Sequence, residues 1–229
     1  MEVEYGAKAW WTTEVYLSGQ TTPGQDTVFT GFRWENRVRP LLTEHAVNPV
    51  LYVEYEDQND ADRSFLEVSG NDGIGDLAGS NDAARRTVER EMELKLILSS
   101  NARGWNFSEN FLTEKNMAAA DPWEFGYAVG AARPLALAAG AQPCVWCRER
   151  FSAGAELYGG LGTTDGVGLH DTSHYVGPLL GFDVPNGPTI RFSPNFGLNS
   201  NSMGVLWRVS VSYEVQQAFS RFRRAGRVQ

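Results

Sequence analysis

The stretch Met203-Gly204-Val205-Leu206-Trp207-Arg208-Val209-Ser210-Val211-Ser212-Tyr213-Glu214-Val215 decides the fold class. Its odd positions from Val205 onward are apolar or aromatic, and its even positions from Arg208 onward are polar or charged. A helix returns a side chain to one face every 3.6 residues and a strand every second residue, so this alternation marks a strand with one apolar and one polar face.

The same period runs through most of the chain. In residues 3–17 the odd positions Val3, Tyr5, Ala7, Ala9, Trp11, Val15 and Leu17 oppose Glu4, Lys8, Thr12 and Glu14, as in one long strand. Residues 28–38 set Phe32 and Trp34 against Arg33, Glu35 and Arg37, and residues 51–56 set Leu51, Val53 and Tyr55 against Tyr52, Glu54 and Glu56. Further alternating runs cover 92–98, 105–114, 123–131, 151–157, 176–182 and 190–196. The run 105–114 is the least regular, because Glu109 falls among Trp105, Phe107 and Phe111, and a β-bulge is expected to re-phase it. The total is about ten strands, most of them long enough for a tilted strand to cross a bilayer. Between them, residues 57–84 are polar and rich in Gly, Asp and Asn, while Asn101-Ala102-Arg103-Gly104 and Pro185-Asn186-Gly187 are tight turns. Long connections at one end and short turns at the other suit a membrane barrel, although residues 134–148 make a long connection at the short-turn end.

A formal net charge of −8 over 229 residues argues against nucleic acid as a partner. No apolar run approaches the roughly 18 to 20 residues of a spanning helix, so membrane insertion would have to be through strands. The start Met1-Glu2-Val3-Glu4-Tyr5 is acidic and alternating, unlike a signal peptide, so an exported protein would be present in a mature or truncated form.

Alternation alone does not say which face is inside. In a soluble β-sandwich or a lipocalin-like binding protein the apolar face is buried; in a membrane barrel it meets lipid and the polar face lines the lumen. Two features favour the lumen. The polar face carries small residues (Gly126, Ala128, Gly130, Gly154, Gly177, Gly181), and it mixes both signs of charge. The expected lumen-lining residues are Glu14, Arg33, Glu35, Arg37, Glu54, Glu56, Glu91, Glu93, Lys95, Glu124, Glu156, Arg191, Arg208 and Glu214, since enclosed charges must be paired or hydrated. Trp11, Trp34, Trp105, Trp123 and Trp207 fall on the apolar face, as interfacial girdles or as core aromatics.

The runs Trp10-Trp11-Thr12-Thr13-Glu14-Val15-Tyr16, Phe29-Thr30-Gly31-Phe32-Arg33-Trp34-Glu35-Asn36-Arg37, Asn48-Pro49-Val50-Leu51-Tyr52-Val53-Glu54-Tyr55-Glu56 and Trp123-Glu124-Phe125-Gly126-Tyr127 resemble uncharacterised outer-membrane β-barrel proteins of Gram-negative bacteria. The resemblance implies a fold and a location and carries over no catalytic residue. It departs from a usual barrel ending at the C-terminus. Phe219 keeps the parity of the last strand, but residues 220–229 continue with Arg221, Arg223, Arg224 and Arg227.

Three motifs bear on chemistry. Cys144-Val145-Trp146-Cys147 lacks the His of a haem attachment site, and zinc would need two more ligands; a local disulfide, free thiols, and a metal or partner contact are the readings. His170-Asp171-Thr172-Ser173-His174 invites comparison with membrane-surface lipid hydrolases, yet Ser173 and His174 are strand neighbours and point to opposite faces. Gly70-Asn71-Asp72-Gly73-Ile74-Gly75-Asp76 has oxygen donors and glycines without EF-hand spacing, so a loop with no bound calcium is expected.

The sequence therefore predicts an all-β protein, a closed antiparallel up-and-down transmembrane β-barrel of about ten strands over residues 1–219, with a disordered basic tail at 220–229. It would sit in a bacterial outer membrane, in contact with lipid, as a narrow pore or a structural or assembly component. The last strand would close against residues 3–17. Loops or the basic tail offer a docking segment for a protein partner, and no cofactor, resident metal or enzymatic activity is expected. The alternatives are the soluble binding protein and, further off, the lipid hydrolase.

Overall fold

The computed structural model describes residues 1–62, 79–138 and 144–213. The Gly70-Asp76 loop, Glu214, Phe219 and the 220–229 tail lie outside them. The described chain forms one antiparallel sheet of twelve strands: β1 (Glu2–Lys8), β2 (Trp11–Gln20), β3 (Val28–Val38), β4 (Asn48–Asn59), β5 (Val88–Ala102), β6 (Trp105–Asn116), β7 (Glu124–Pro134), β8 (Phe151–Thr163), β9 (Gly166–Val167), β10 (His174–Asp183), β11 (Thr189–Gly197) and β12 (Val205–Ser212). Each strand pairs with the next, except that the two-residue β9 only folds back on β8, which pairs onward with β10. One end, here called upper, carries the connections 21–27, 60–87, 117–123, 164–173 and 198–204; the lower end carries 9–10, 39–47, 103–104, 135–150 and 184–188.

The expected long strand over residues 3–17 is in fact the β1–β2 hairpin. Val3 pairs with Val15 and Tyr5 with Thr13, whereas Lys8 pairs with Trp11, so the register shifts by one residue between Gly6 and Lys8. A two-residue loop alone would place odd positions of one strand opposite even positions of the other. The bulge restores the parity, and the alternation therefore passes through the turn without a visible break. By contrast, the bulge expected in β6 does not exist. The register from Glu91↔Asn116 to Ala102↔Trp105 is unbroken, and Glu109 stays on the apolar side between Leu98 and Val129.

The expected closure is not found either. Eleven strands lie on the continuous path, and in an up-and-down sheet an odd number leaves the first and last strands running the same way. Among the described residues β12 pairs only with β11 and β1 only with β2, so the sheet is not a closed barrel and its last strand does not pair with residues 3–17. Exposure agrees with an open seam. Glu2 and Glu4 of β1, and Arg208, Ser210 and Ser212 of β12, all have the parity of the polar face and all are exposed.

Away from the seam the two faces differ sharply. Side chains of the apolar face are open, with Val15, Leu17, Trp34, Leu51, Val53, Leu94, Phe111 and Leu180 all exposed. Across the sheet from them, Glu14 is 2% exposed, Glu35 3% and Glu54 2%, and Tyr52, Leu112, Tyr158 and Tyr175 are buried. Among the described elements no helix longer than the four-residue α1 (Asn81–Ala84) and no second sheet covers that polar face. A single layer buries one face without a cover when it curls, because side chains converge on the concave side and diverge on the convex side. The polar face is the concave one.

Candidate functional site: the polar inner face

On the concave face the strand registers line up one glutamate after another. Glu4 lies opposite Glu14, Glu14 opposite Glu35, Glu35 opposite Glu54, Glu54 opposite Glu93, Glu93 opposite Glu114 and Glu114 opposite Glu124. Seven consecutive strands, β1 to β7, each contribute one carboxylate to this row. Directly opposed side chains sit about 5 Å apart at Cβ, and like charges there repel. The compensating cations come from the adjacent rows. One residue pair lower, Arg37, Tyr52, Lys95 and Leu112 align; one pair higher, Tyr16, Arg33, Glu56 and Glu91 align.

The contacts follow from this placement. The Arg37 guanidinium donates from Nη2 to Glu14 Oε2 at 2.9 Å and pairs through Nε with Glu35. The hydroxyls of Tyr16 and Tyr52 donate to Glu35 Oε2 at 3.3 and 3.2 Å. Arg33 stands 3.9 Å from both Glu54 and Glu56 and lies 4.5 Å over the Tyr16 ring. Lys95 pairs with Glu93 and sits 4.3 Å over the Tyr52 ring. Three cations thus serve Glu14, Glu35, Glu54, Glu56 and Glu93, and the tyrosines add hydroxyl bonds to Glu35 and ring contacts to Arg33 and Lys95.

A second network fills the other half. Glu156 of β8 accepts from Ser193 Oγ at 2.6 Å and Asn195 Nδ2 at 3.0 Å, both on β11, and from β12 Arg208 approaches to 3.7 Å. Strand β10 lies between, and its residue opposite Glu156 is Gly177. A Cβ there would stand 2.3 Å from Pro194 O and 2.4 Å from Asn195 Oδ1, so only glycine leaves the passage through which β11 reaches β8. Arg208 also lies 5.3 Å over the Tyr158 ring, which stacks on Tyr175.

Of the residues expected to line a lumen, Glu14, Arg33, Glu35, Arg37, Glu54, Glu56, Glu93 and Lys95 meet in the first network, and Glu156 and Arg208 in the second. Glu91 and Glu124 border a cavity of about 70 Å³ near the upper end, together with Glu89, Glu114, Lys115, Asn116 and Asp121. Arg191 has the inward parity, opposite Gly181, but is exposed. The list of lining residues read from the sequence omits Glu4, Glu114, Tyr16, Tyr52, Ser193 and Asn195. Glu114 follows from parity once β6 is taken without a bulge, and Tyr16 and Tyr52 carry the parity of the polar face although their residue type is that of girdle aromatics.

Cys144 and Cys147 form a disulfide below β8, with Cα atoms 5.4 Å apart, and Trp146 between them stacks on Phe182 at 5.2 Å. The histidines lie at the opposite end of β8. His174 Nε2 donates to Leu169 O at 2.9 Å, which leaves Nδ1 to accept from Tyr127 Oη at 3.1 Å. Thr172 Oγ1 stands 3.0 Å from the same Nε2. Nε2 thus ties down the 164–173 connection, and Nδ1 ties His174 to β7. His170 is exposed beside Asp171. In comparisons with known proteins no family model matches the chain and no curated protein matches it.

Proposed function

We propose that this chain is an integral β-sheet protein of a Gram-negative outer membrane, acting as a structural or assembly component. The observation that carries the reading is the inverted distribution of its side chains: Trp34, Leu51, Val53, Leu94 and Leu96 point outward and open, while Glu14, Glu35 and Glu54 are enclosed. In water the hydrophobic effect drives the opposite arrangement, so a soluble sandwich or lipocalin-like protein is disfavoured. In a bilayer the outward apolar band is the buried one. Two indoles on that band find their partners within it, as hydrocarbon favours: Trp11 Nε1 donates to Asn36 Oδ1 at 3.1 Å and Trp34 Nε1 to Thr13 Oγ1 at 3.0 Å. The structural role is preferred to a pore because charged and polar side chains cross-link the inner face from β2 to β4 and from β8 to β12.

The test is flotation with lipid vesicles after a urea wash, combined with Leu94→Arg. Leu94 is outward and exposed near the middle of β5. In lipid an arginine there costs about 2–4 kcal/mol, whereas on a surface facing water it costs nearly nothing. A chain that stays in plain buffer as a single species, with Leu94→Arg as stable as the parent, overturns the membrane reading. Stable single-channel conductance in planar bilayers would replace the structural role with a pore.

A further inference from the structure

At the lower end of the outer face, register brings aromatic rings and a guanidinium together across four neighbouring strands. Trp105 of β6, Arg133 of β7, Phe151 of β8 and Phe182 of β10 all have the outward parity, and all stand at or next to the lower ends of their strands. Phe151 is opposite Phe182 with the rings 4.8 Å apart, and the Arg133 guanidinium lies 5.6 Å over the Trp105 ring. The 135–150 connection adds to this patch. Its disulfide closes a four-residue loop, and Trp146 inside the loop stacks on Phe182 at 5.2 Å and on Phe151 at 6.3 Å. Trp146 is still 75% exposed and Val145 47%, so the stack is covered on one side only. Arg148 is exposed directly after the loop, on a short turn with Arg150 that packs against β7 and β10.

Charge separates the two ends of the sheet. Among the described residues the lower connections carry Arg39, Arg103, Arg148 and Arg150 against Glu44 and Glu149, whereas the upper ones carry Arg85 and Arg86 against seven carboxylates. Tryptophan settles at the headgroup level of a bilayer, and arginine there lays its stem on apolar surface and reaches for phosphate. A guanidinium packed on an indole keeps its N–H edge for the fork onto phosphate oxygens. A phosphatidylcholine headgroup brings its own cation, so a cluster of arginines discriminates against it. We propose that this lower rim binds the headgroup of an anionic phospholipid, with Arg133, Arg148 and Arg150 toward the phosphate and Trp146, Phe151 and Phe182 against the start of the acyl chains. The disulfide holds Trp146 in place before the lipid arrives, which lowers the ordering cost. This inference rests on the reading that the outer face meets lipid, and it adds the charge of that lipid at one end.

The experiment reconstitutes the full chain in phosphatidylcholine vesicles that contain a variable fraction of lipid brominated on the acyl chain near the headgroup, which quenches nearby tryptophan. Flotation with the vesicles comes first. A chain that does not float loses the membrane reading and this inference together; a chain that floats puts the inference alone to the test. Brominated phosphatidylglycerol should reach half-maximal quenching at about a tenfold lower mole fraction than brominated phosphatidylcholine, the scale of a few basic residues at an anionic surface. Arg133→Gln/Arg148→Gln should bring the two lipids within about twofold of each other, whereas Arg85→Gln/Arg86→Gln at the upper end should leave the preference unchanged. Arg133 packs on Trp105, so Arg148→Glu alone, at an exposed position that leaves the sheet intact, serves as the second variant and should cut the preference about threefold. Equal quenching by both lipids in a chain that floats, a preference that survives both lower-end variants, or its loss in Arg85→Gln/Arg86→Gln would overturn the proposal. Displacement of the phosphatidylglycerol signal by millimolar inorganic phosphate would overturn it too, by making the rim a site for the free anion.

Discussion

Replacing Arg37 by methionine keeps the aliphatic stem and removes the guanidinium that serves two enclosed carboxylates. Glu14 and Glu35 are 2% and 3% exposed, and Arg37 contacts both. Removing one partner of a fully buried ion pair costs about 3–5 kcal/mol, because the other charge is left in a poor solvent. The Arg37 side chain is itself 38% exposed, so water already screens part of the interaction. Glu35 also keeps the hydroxyl bonds from Tyr16 and Tyr52. The expected loss is therefore about 2 kcal/mol, a factor of about 30 in the folding equilibrium, and it falls mainly on Glu14. Urea unfolding in detergent micelles, followed by circular dichroism and by heat-dependent mobility, measures it. Adding Glu14→Gln to Arg37→Met should recover more than half of the loss, since the stranded charge is then gone. Stability of Arg37→Met within about 0.5 kcal/mol of the parent, or no recovery in the double variant, would show that the inner face is wet enough to do without the pair.

Glu54→Gln should act in the opposite direction. Glu54 is flanked in register by Glu35 and Glu93 and its cation Arg33 is 3.9 Å away, so neutralising it should raise the unfolding free energy by about 0.5 kcal/mol; a loss above about 1 kcal/mol would mean the Arg33 contact outweighs the row repulsion. Gly177→Ala should destabilise by about 1–3 kcal/mol, because its Cβ meets backbone and Asn195 at 2.3 to 2.9 Å. Gly130→Ala, whose Cβ would meet only ordinary contacts from 3.5 Å outward, should stay near the parent in the same assay.

Parity made most strands readable. Side chains alternate on any strand whatever its partners, so Arg33, Glu35 and Arg37, or Tyr52, Glu54 and Glu56, could be assigned to one face from residue types alone. The same insensitivity hid the β1–β2 turn, since the bulge between Gly6 and Lys8 keeps odd positions on one side through the reversal. It also made Glu109 look like a phase error in β6, when it is a carboxylate on the outer face of an unbroken strand. The disulfide was one of several readings of Cys144 and Cys147, because sequence spacing does not say whether a short loop brings two sulfurs together.

By itself, then, the sequence determined the period, the two faces of each strand and most of the charged residues that share a side. These depend on local backbone geometry, which every residue carries with it. Small residues and mixed charges already favoured the polar face as the enclosed one, and tertiary structure decided how far each side chain is enclosed, because curling is a property of the whole sheet. It decided that glutamates from seven strands stand in one row, because alignment across strands depends on registers set by turns and bulges. And it decided that the sheet is open among the described residues: the added reversal near the N-terminus makes β1 and β12 run in the same direction, and neither pairs with the other.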